Sequence, residues 1–546
     1  MGNLWGYGSI TNPPSDTDLV PVFHGSQTKD TPISGLLKNR TVTATIGFSN
    51  ADYICDGVAD DVEIQTALNA VNTAGGGRVH IRAHSTAYDI SAVLKIPSNV
   101  WLSGEGWGTV LKAHSNTVEV LNNSDFTNIS GGNTNIIVSD LQINGNNTTG
   151  TVTSTDGAFT FDYTSNVKIS GVCVVDSGKE GIKVRHTSNA TISQCNINTT
   201  PPGAAGITAA TGSSNITVMN NVAVDAGGEA FGGFLCTDLT LVGNTSQIIN
   251  GGRGHILLEG TGSSINDCVV SGNKLETDYY GINVINGIGI SITGNEIRHF
   301  NPSSTNAFDG INISGTSKYL TINSNTIHDI AQNGININGT TRRLTILGNT
   351  IINPSSVTSN TYDGIVLSAG GGAIRDINMI SNIVVDDRIT TLMRNGINLV
   401  AGVQQIVNPS IADNTIVGYL SAGYASSGTI ISETIRNNTG INPDTLFVKG
   451  NITGATTFTR VNGQHIVATL TGNVTTTITN GAVKGDRLTL ELTQDGTGSR
   501  TISKPSNARL VGGAFSPTVA ANATDIWMLE WDGTNWVEVS RSLNIS

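Results

Sequence analysis

The chain has 546 residues, 38% of them hydrophobic, so it can bury a large core, and only 13% are charged, which excludes a disordered polyelectrolyte. Its net charge of −12, with no basic run in the sequence, argues against nucleic acid as a partner, and no apolar stretch is long enough to insert into a membrane. The 65 glycines, with abundant Asn, Thr, Ser and Ile, predict many short strands joined by tight turns and little helix.

In chain order, the opening MGNLWGYGSITNPP has neither the basic nor the apolar part of a secretory signal, so export by that route is not expected. The stretch CDGVADDVEIQTALNAVNTAGGGRVHIRA (55 to 83) predicts a short helix. Asp60 and Glu63 have the spacing of a capping box, Ile64, Leu68 and Val71 share one face, and Gly75 to Gly77 end it before a strand. Cys55, Cys173, Cys195, Cys236 and Cys268 form no C-x-x-C pair, which reads as small buried side chains in a reduced compartment. Neither a metal nor any other cofactor is expected.

Internal repeats organise the middle of the chain. Gly-Ile recurs at Gly181, Gly206, Gly281, Gly310, Gly334, Gly364 and Gly396, with Gly254-His255-Ile256 as a variant. A second mark, an asparagine closing an apolar alternation, falls at Asn220, Asn244, Asn273, Asn295, Asn325, Asn349, Asn382 and Asn414. A unit of this size cannot bury its apolar face alone, so the units must stack with like residues above like, as a parallel β-solenoid in which the asparagines bond one another. The predicted helix then covers the open end of the core, which an exposed solenoid end requires.

The loops between repeats carry what is particular to the chain. The residue before each Gly-Ile forms a column of Tyr280, Asp309, Asn333, Asp363 and Asn395. Asp309 and Asp363 are two coils apart, about 10 Å between Cα atoms, a spacing suited to the acid and base of an inverting glycosidase. Phe308 and Tyr362 beside them suit the apolar faces of a sugar. A column at the far end of the same loops holds Thr277, His299, Asp329, Asn353 and Asp386, which adds Asp329 as a third catalytic candidate and His299 as a substrate ligand. Tyr280, Arg388 and Arg394 complete the candidate substrate contacts. The cluster SGKEGIKVRH (177 to 186), with Glu180, Arg185 and His186, is a second candidate site. Asp-Gly and Asn-Gly also suit tight turns, so the Asp309 column has a structural reading too. Downstream, turn signals at Asp495-Gly496, Gly512-Gly513 and Asp532-Gly533 punctuate strands of an antiparallel sandwich, with Trp527, Trp531 and Trp536 in its core or at a subunit contact.

The D-G-x-x-D-D stretch, helix and glycine turn, with SNVWLSGEGWGTVLKA (98 to 113), resemble the pectate-lyase-like superfamily of right-handed parallel β-helices. DTDLVPVFHGSQTKDTPISGLL (16 to 37) resembles the start of phage tail proteins, and the C-terminal module is similar to one common at their ends. The whole therefore resembles a bacteriophage tailspike. The resemblance implies an all-β chain with a virion-attachment segment (1–45), a β-helix cap and first coils (46–115), a parallel β-helix body (116–440) and a C-terminal β-sandwich for assembly or receptor binding (441–546). It implies a homotrimer made in the host cytoplasm, joined to the phage tail or baseplate by its N-terminus, and acting on a bacterial surface polysaccharide such as capsule, O-antigen or exopolysaccharide. Glycoside hydrolysis is the expected chemistry. Lyase chemistry would need basic residues beside acidic clusters, which the repeats show few of, and a non-catalytic receptor-binding spike is the alternative from another class. A sugar epimerase is disfavoured by the phage-like flanks.

Overall fold

The computed structural model describes residues 19–24, 27–32, 42–126, 132–153, 156–198, 200–249, 254–277, 279–299, 308–440, 446–458, 465–479 and 484–545; for 19–24, 27–32, 42, 248–249, 277 and 446–448 it describes the backbone alone. From Val42 to Arg436 the chain winds as a right-handed parallel β-helix whose coils each contribute three legs. The first leg holds the Gly-Ile strands, as Ile182–Arg185, Ile207–Ala209 and Phe231–Phe234. The second follows after a bend, as Ser188–Ser193 and Ser214–Met219. The third is short, as Asn196–Asn198 and Thr326–His328. Farther along the solenoid the first two legs merge into continuous strands, Ile311–Asn323 and Ile335–Leu347.

Pairing stacks like on like. Ile182, Ile207, Phe231, Ile256, Ile282, Ile311, Ile335, Ile365 and Ile397 follow one another in register, all buried. The glycine before the isoleucine is a matter of space: a Cβ on Gly310 would stand 2.6 Å from Ile327 Cγ2 and 2.7 Å from the Gly334 carbonyl oxygen. His255 occupies this place in its own coil, where Ser246 lies in register with Leu275 and Ile297 of the third leg, and its Nδ1 lies 2.6 Å from the Ser246 hydroxyl. Burial lowers the pKa of that imidazole to about 3.

The asparagine ladder forms between the second and third legs. Asn349 Oδ1 accepts from the amide and the side chain of Asn325 (3.0 and 2.9 Å), while its Nδ2 donates to the Ile322 carbonyl and to Asn382 Oδ1 (both 2.9 Å). The pattern runs from Asn221 to Asn438. Its first rung is thus Asn221; Asn220, the expected member, is one residue early and holds a left-handed bend at φ 54°.

The expected helix is Asp61–Thr73, with Ile64, Leu68 and Val71 buried in the solenoid core. The capping box is not made. Asp60 Oδ1 instead accepts from the amides of Asp56 and Gly57 (3.1 and 2.8 Å), and Oδ2 from that of Asp89 (2.9 Å), so the side chain ties the preceding loop to the first coil. All five cysteines are free and buried. Residues 446–545 form a six-stranded sheet with a separate core that buries Trp527, Trp531 and Trp536. Its pairing is mixed rather than purely antiparallel: Leu446–Phe458, His465–Ile478 and Arg487–Gln494 run parallel before Thr524–Trp531 and Trp536–Ile545 reverse. Of the segment 16–37, the backbones of Leu19–His24 and Gln27–Pro32 pair antiparallel, and the rest lies outside the described residues.

Candidate functional site

The register of the first leg extends the loop column across the solenoid wall. The position two before each stacked isoleucine or phenylalanine reads Glu180, Ala205, Glu229, Gly254, Tyr280, Asp309, Asn333, Asp363, Asn395. Asp309 and Asp363 therefore do lie on one wall, but each is locked. Asp309 Oδ1 accepts from the backbone amide and Nδ2 of Asn333 (3.0 and 2.7 Å), and Oδ2 from Asn336 Nδ2 (2.9 Å). Asp363 accepts from Arg394 Nε and Nη2, from the amide and Nδ2 of Asn395, and from Asn398 Nδ2. With Asn333 Oδ1 receiving the Asp363 amide at 2.8 Å, the column is a second ladder in which Asp and Asn alternate.

This counts against the catalytic role expected of Asp363, whereas Asp309 carries three such bonds. A carboxylate holding five donors, with the side chain fully buried, has no free lone pair to offer a water or a sugar. Burial also raises the pKa of Asp309, against the amides of Asn336 and Asn333. Two candidate substrate arginines each already hold a carboxylate. Arg394 donates to Asp363 through Nε and Nη2, and Arg388 holds Asp386 through Nε (2.7 Å) and Nη2 (2.6 Å) while donating to the Pro354 carbonyl.

Burial acts to raise the Asp386 pKa, but Arg388 and the amides of Met393 and Leu392 outweigh it and hold the value below the usual carboxylate range. A lowered folded value stabilises the fold above the unfolded pKa of about 4 and loses that contribution as pH falls through the folded value. In melts across pH, Asp386→Asn should therefore cost most near neutrality and progressively less in acid; a penalty that does not change with pH would remove the charge-based account.

Tyr280 and Phe308 pack together with Tyr279, with ring centroids 4.7 Å apart for Tyr280–Phe308 and 4.9 Å for Tyr279–Phe308, all three partly exposed. Tyr362 Oη accepts from Gln332 Nε2 at 3.0 Å. At the far end of the loops His299, Asp329, Asn353 and Asp386 do align in register. His299 is buried with both ring nitrogens unpartnered, and burial lowers its pKa against the opposing effect of Asp329. The Asp329 side chain is 40% exposed, with His328 Nδ1 at 3.5 Å.

Two more carboxylates lie nearer the N-terminus on the same wall. Glu180 and Glu229 stand two coils apart, about 10 Å between Cα atoms, and both line a cavity of about 300 Å³ with Lys183, Ala205, Thr208 and Phe234. Ala205, in the coil between them, is too small to close the gap. Lys183 Nζ lies 3.3 Å from Asp156 Oδ1 and 3.4 Å from Glu180 Oε1. Arg185 bridges Asp156 and Asp162 (both 2.8 Å), and His186 meets Asp162 Oδ1 at 2.8 Å while stacking on Tyr163. Basic residues do therefore stand beside an acidic cluster, contrary to the reading of the repeats. Glu180 Oε2 and the hydroxyls of Thr160 and Thr208, which flank Lys183 in register, are buried without a hydrogen-bond partner. Such atoms in a folded protein call for an explanation, since few buried polar groups go unpaired.

Sequence reasoning found Glu180, Arg185 and His186 only as a second cluster and missed Asp156, Asp162, Lys183 and Glu229. The signal was available: counting two residues back from the stacked Ile or Phe in GKEGI and GGEAF finds both glutamates.

No known protein family matches the sequence, and no curated protein does. Among solved structures, pre-mature bacteriophage phi29 gene product 12 is similar over 88% of this chain and 70% of its own, with 14% identity and a TM-score of 0.53. The A-module of Azotobacter vinelandii mannuronan C-5 epimerase AlgE6 is 21% identical over 69% of this chain and 97% of its own, with a TM-score of 0.45. Tailspike protein 3 of bacteriophage CBA120 is 12% identical over 79% and 66%, with a TM-score of 0.45. At these identities the likeness is one of fold.

Proposed function

We propose that this chain is a phage tailspike that binds and cleaves a bacterial surface polysaccharide in the groove between Glu180 and Glu229. The observation that carries the reading is this pair of carboxylates facing one cavity across a coil that bears only Ala205. One carboxyl group gives its proton to the glycosidic oxygen as the C–O bond breaks, and the other takes a proton from the water whose oxygen bonds to the anomeric carbon. Two coils of separation leave room for that water, as inversion requires. Lys183, held by Asp156, keeps the Glu180 side chain in place. Tyr280 lies two coils beyond Glu229, and with Phe308 and Tyr279 it offers rings on which the apolar faces of further sugars pack. The phage-like segments at both ends and the fold shared with a phage gene product support a place on the virion, with attachment through the N-terminus and assembly as a homotrimer.

Lyase chemistry is a second reading, favoured by Lys183, Arg185 and His186 beside these acids. Incubation with polysaccharide extracted from the host surface tests both. Shortened chains with new reducing ends and no ultraviolet absorbance are expected for hydrolysis, and an absorbing unsaturated uronate for a lyase. Chains bound but never shortened would leave a receptor-binding spike and sink the enzymatic reading.

A further inference from the structure

We propose a second binding site, on the outer face of the second leg, for a linear acidic polysaccharide lying along the solenoid axis. One column of that face carries Ser165, Ser188, Ser214, Thr237, Asn266 and Ile288 in successive coils, then Lys318, Arg342 and Arg375 in the next three, and returns to neutral at Val407. No basic run marks this in the sequence, because the three residues come together only by winding. Like charges opposed at about 4.8 Å repel one another, and among the described residues none of the three forms a salt bridge. In a chain of net charge −12 such a row is not a product of general basicity.

Tyr319, 50% exposed, stands beside the row. The Arg343 guanidinium lies 5.2 Å from its ring centroid and donates to its hydroxyl at 3.1 Å, which fixes the ring in place. A cavity of about 220 Å³ is lined by Lys318, Tyr319, Arg342, Arg343 and Asp376. One cation per coil beside a fixed aromatic face matches a polymer with one acidic group per sugar or two. Nucleic acid is a poorer fit, because its denser charge would extend past this short row onto positions such as Ile288 and Val407 that carry no cation. The site does not rest on the reading of the Glu180 groove.

The test uses the full chain against polygalacturonate, heparin, neutral dextran and a single-stranded oligodeoxynucleotide, at two salt concentrations. Binding of at least one acidic polysaccharide, weakening with salt, and no binding of dextran are expected. The triple variant Lys318→Ser, Arg342→Ser, Arg375→Ser, which restores the serine of earlier coils, should weaken that binding about tenfold or more, as three exposed charge contacts allow. Its circular dichroism, oligomeric state and Tm should be unchanged or its Tm raised. Absence of acidic-polymer binding, equal binding by the triple variant, tighter binding of the oligonucleotide, or loss of assembly in the triple variant would each overturn the proposal.

Discussion

Glu180→Gln and Glu229→Gln are each expected to lower polysaccharide cleavage by about 100- to 10,000-fold, the range that general acid or base catalysis contributes. The amide keeps the size of the side chain and removes only its capacity to give or take a proton, so glycan binding should survive. The double variant should fall little further than either single one, because an acid and a base acting on one bond are not additive. Fold integrity is the necessary control: Lys183 loses one of its two carboxylate neighbours in Glu180→Gln but keeps Asp156 at 3.3 Å. Single variants that cleave within about threefold of the parent would remove the pair from the chemistry. Asp363→Asn offers the contrast. Its expected cost is in stability, since the Arg394 guanidinium would lose its charge partner beside a fully buried side chain.

The largest loss of stability is expected from Asn349→Leu, in the middle of the buried ladder. The substitution leaves the Asn325 amide and side-chain N–H without their acceptor, and the Ile322 carbonyl without a side-chain donor. At roughly 1–3 kcal/mol for each of these three buried groups left unpaired, the cost is about 3–9 kcal/mol. Chemical denaturation reads this directly. The exposed ladder at the bend into the second leg supplies the control: Asn135 Nδ2 donates to Asn99 Oδ1 at 2.9 Å at an exposed position, so Asn135→Gly, which tolerates the left-handed φ of 57°, should change stability by no more than about 0.5 kcal/mol. Equal effects at the two positions would mean that burial, and with it the ladder argument, is not what makes Asn349 matter.

The legible part of this protein is what repeats. Gly310, Gly334 and Gly364 announce a coil because each must clear a third-leg side chain and the next coil's carbonyl. Asn325, Asn349 and Asn382 announce a ladder because identical amides, one above another, satisfy each other. The helix over the core was equally plain in Ile64, Leu68 and Val71, although its capping residue took other partners. The single-residue slip at Asn220 and the mixed pairing of the C-terminal sheet show where the pattern stops being specific: neighbouring asparagines look alike, and alternation does not encode strand direction.

The solenoid and the wall on which acidic residues fall follow from the chain's period, because stacking in parallel register turns that period into a column in space. Which of those acids are closed off depends on the folded neighbourhood of each. Asp363 is closed by Arg394, Asn395 and Asn398, which lie one coil on, whereas Glu180 keeps a buried oxygen free because Ala205 in the next coil is too small to reach it. The state of a carboxylate is set by the atoms within a few ångströms of it. In a solenoid those atoms belong to residues a whole turn away, at positions where the repeat is free to vary.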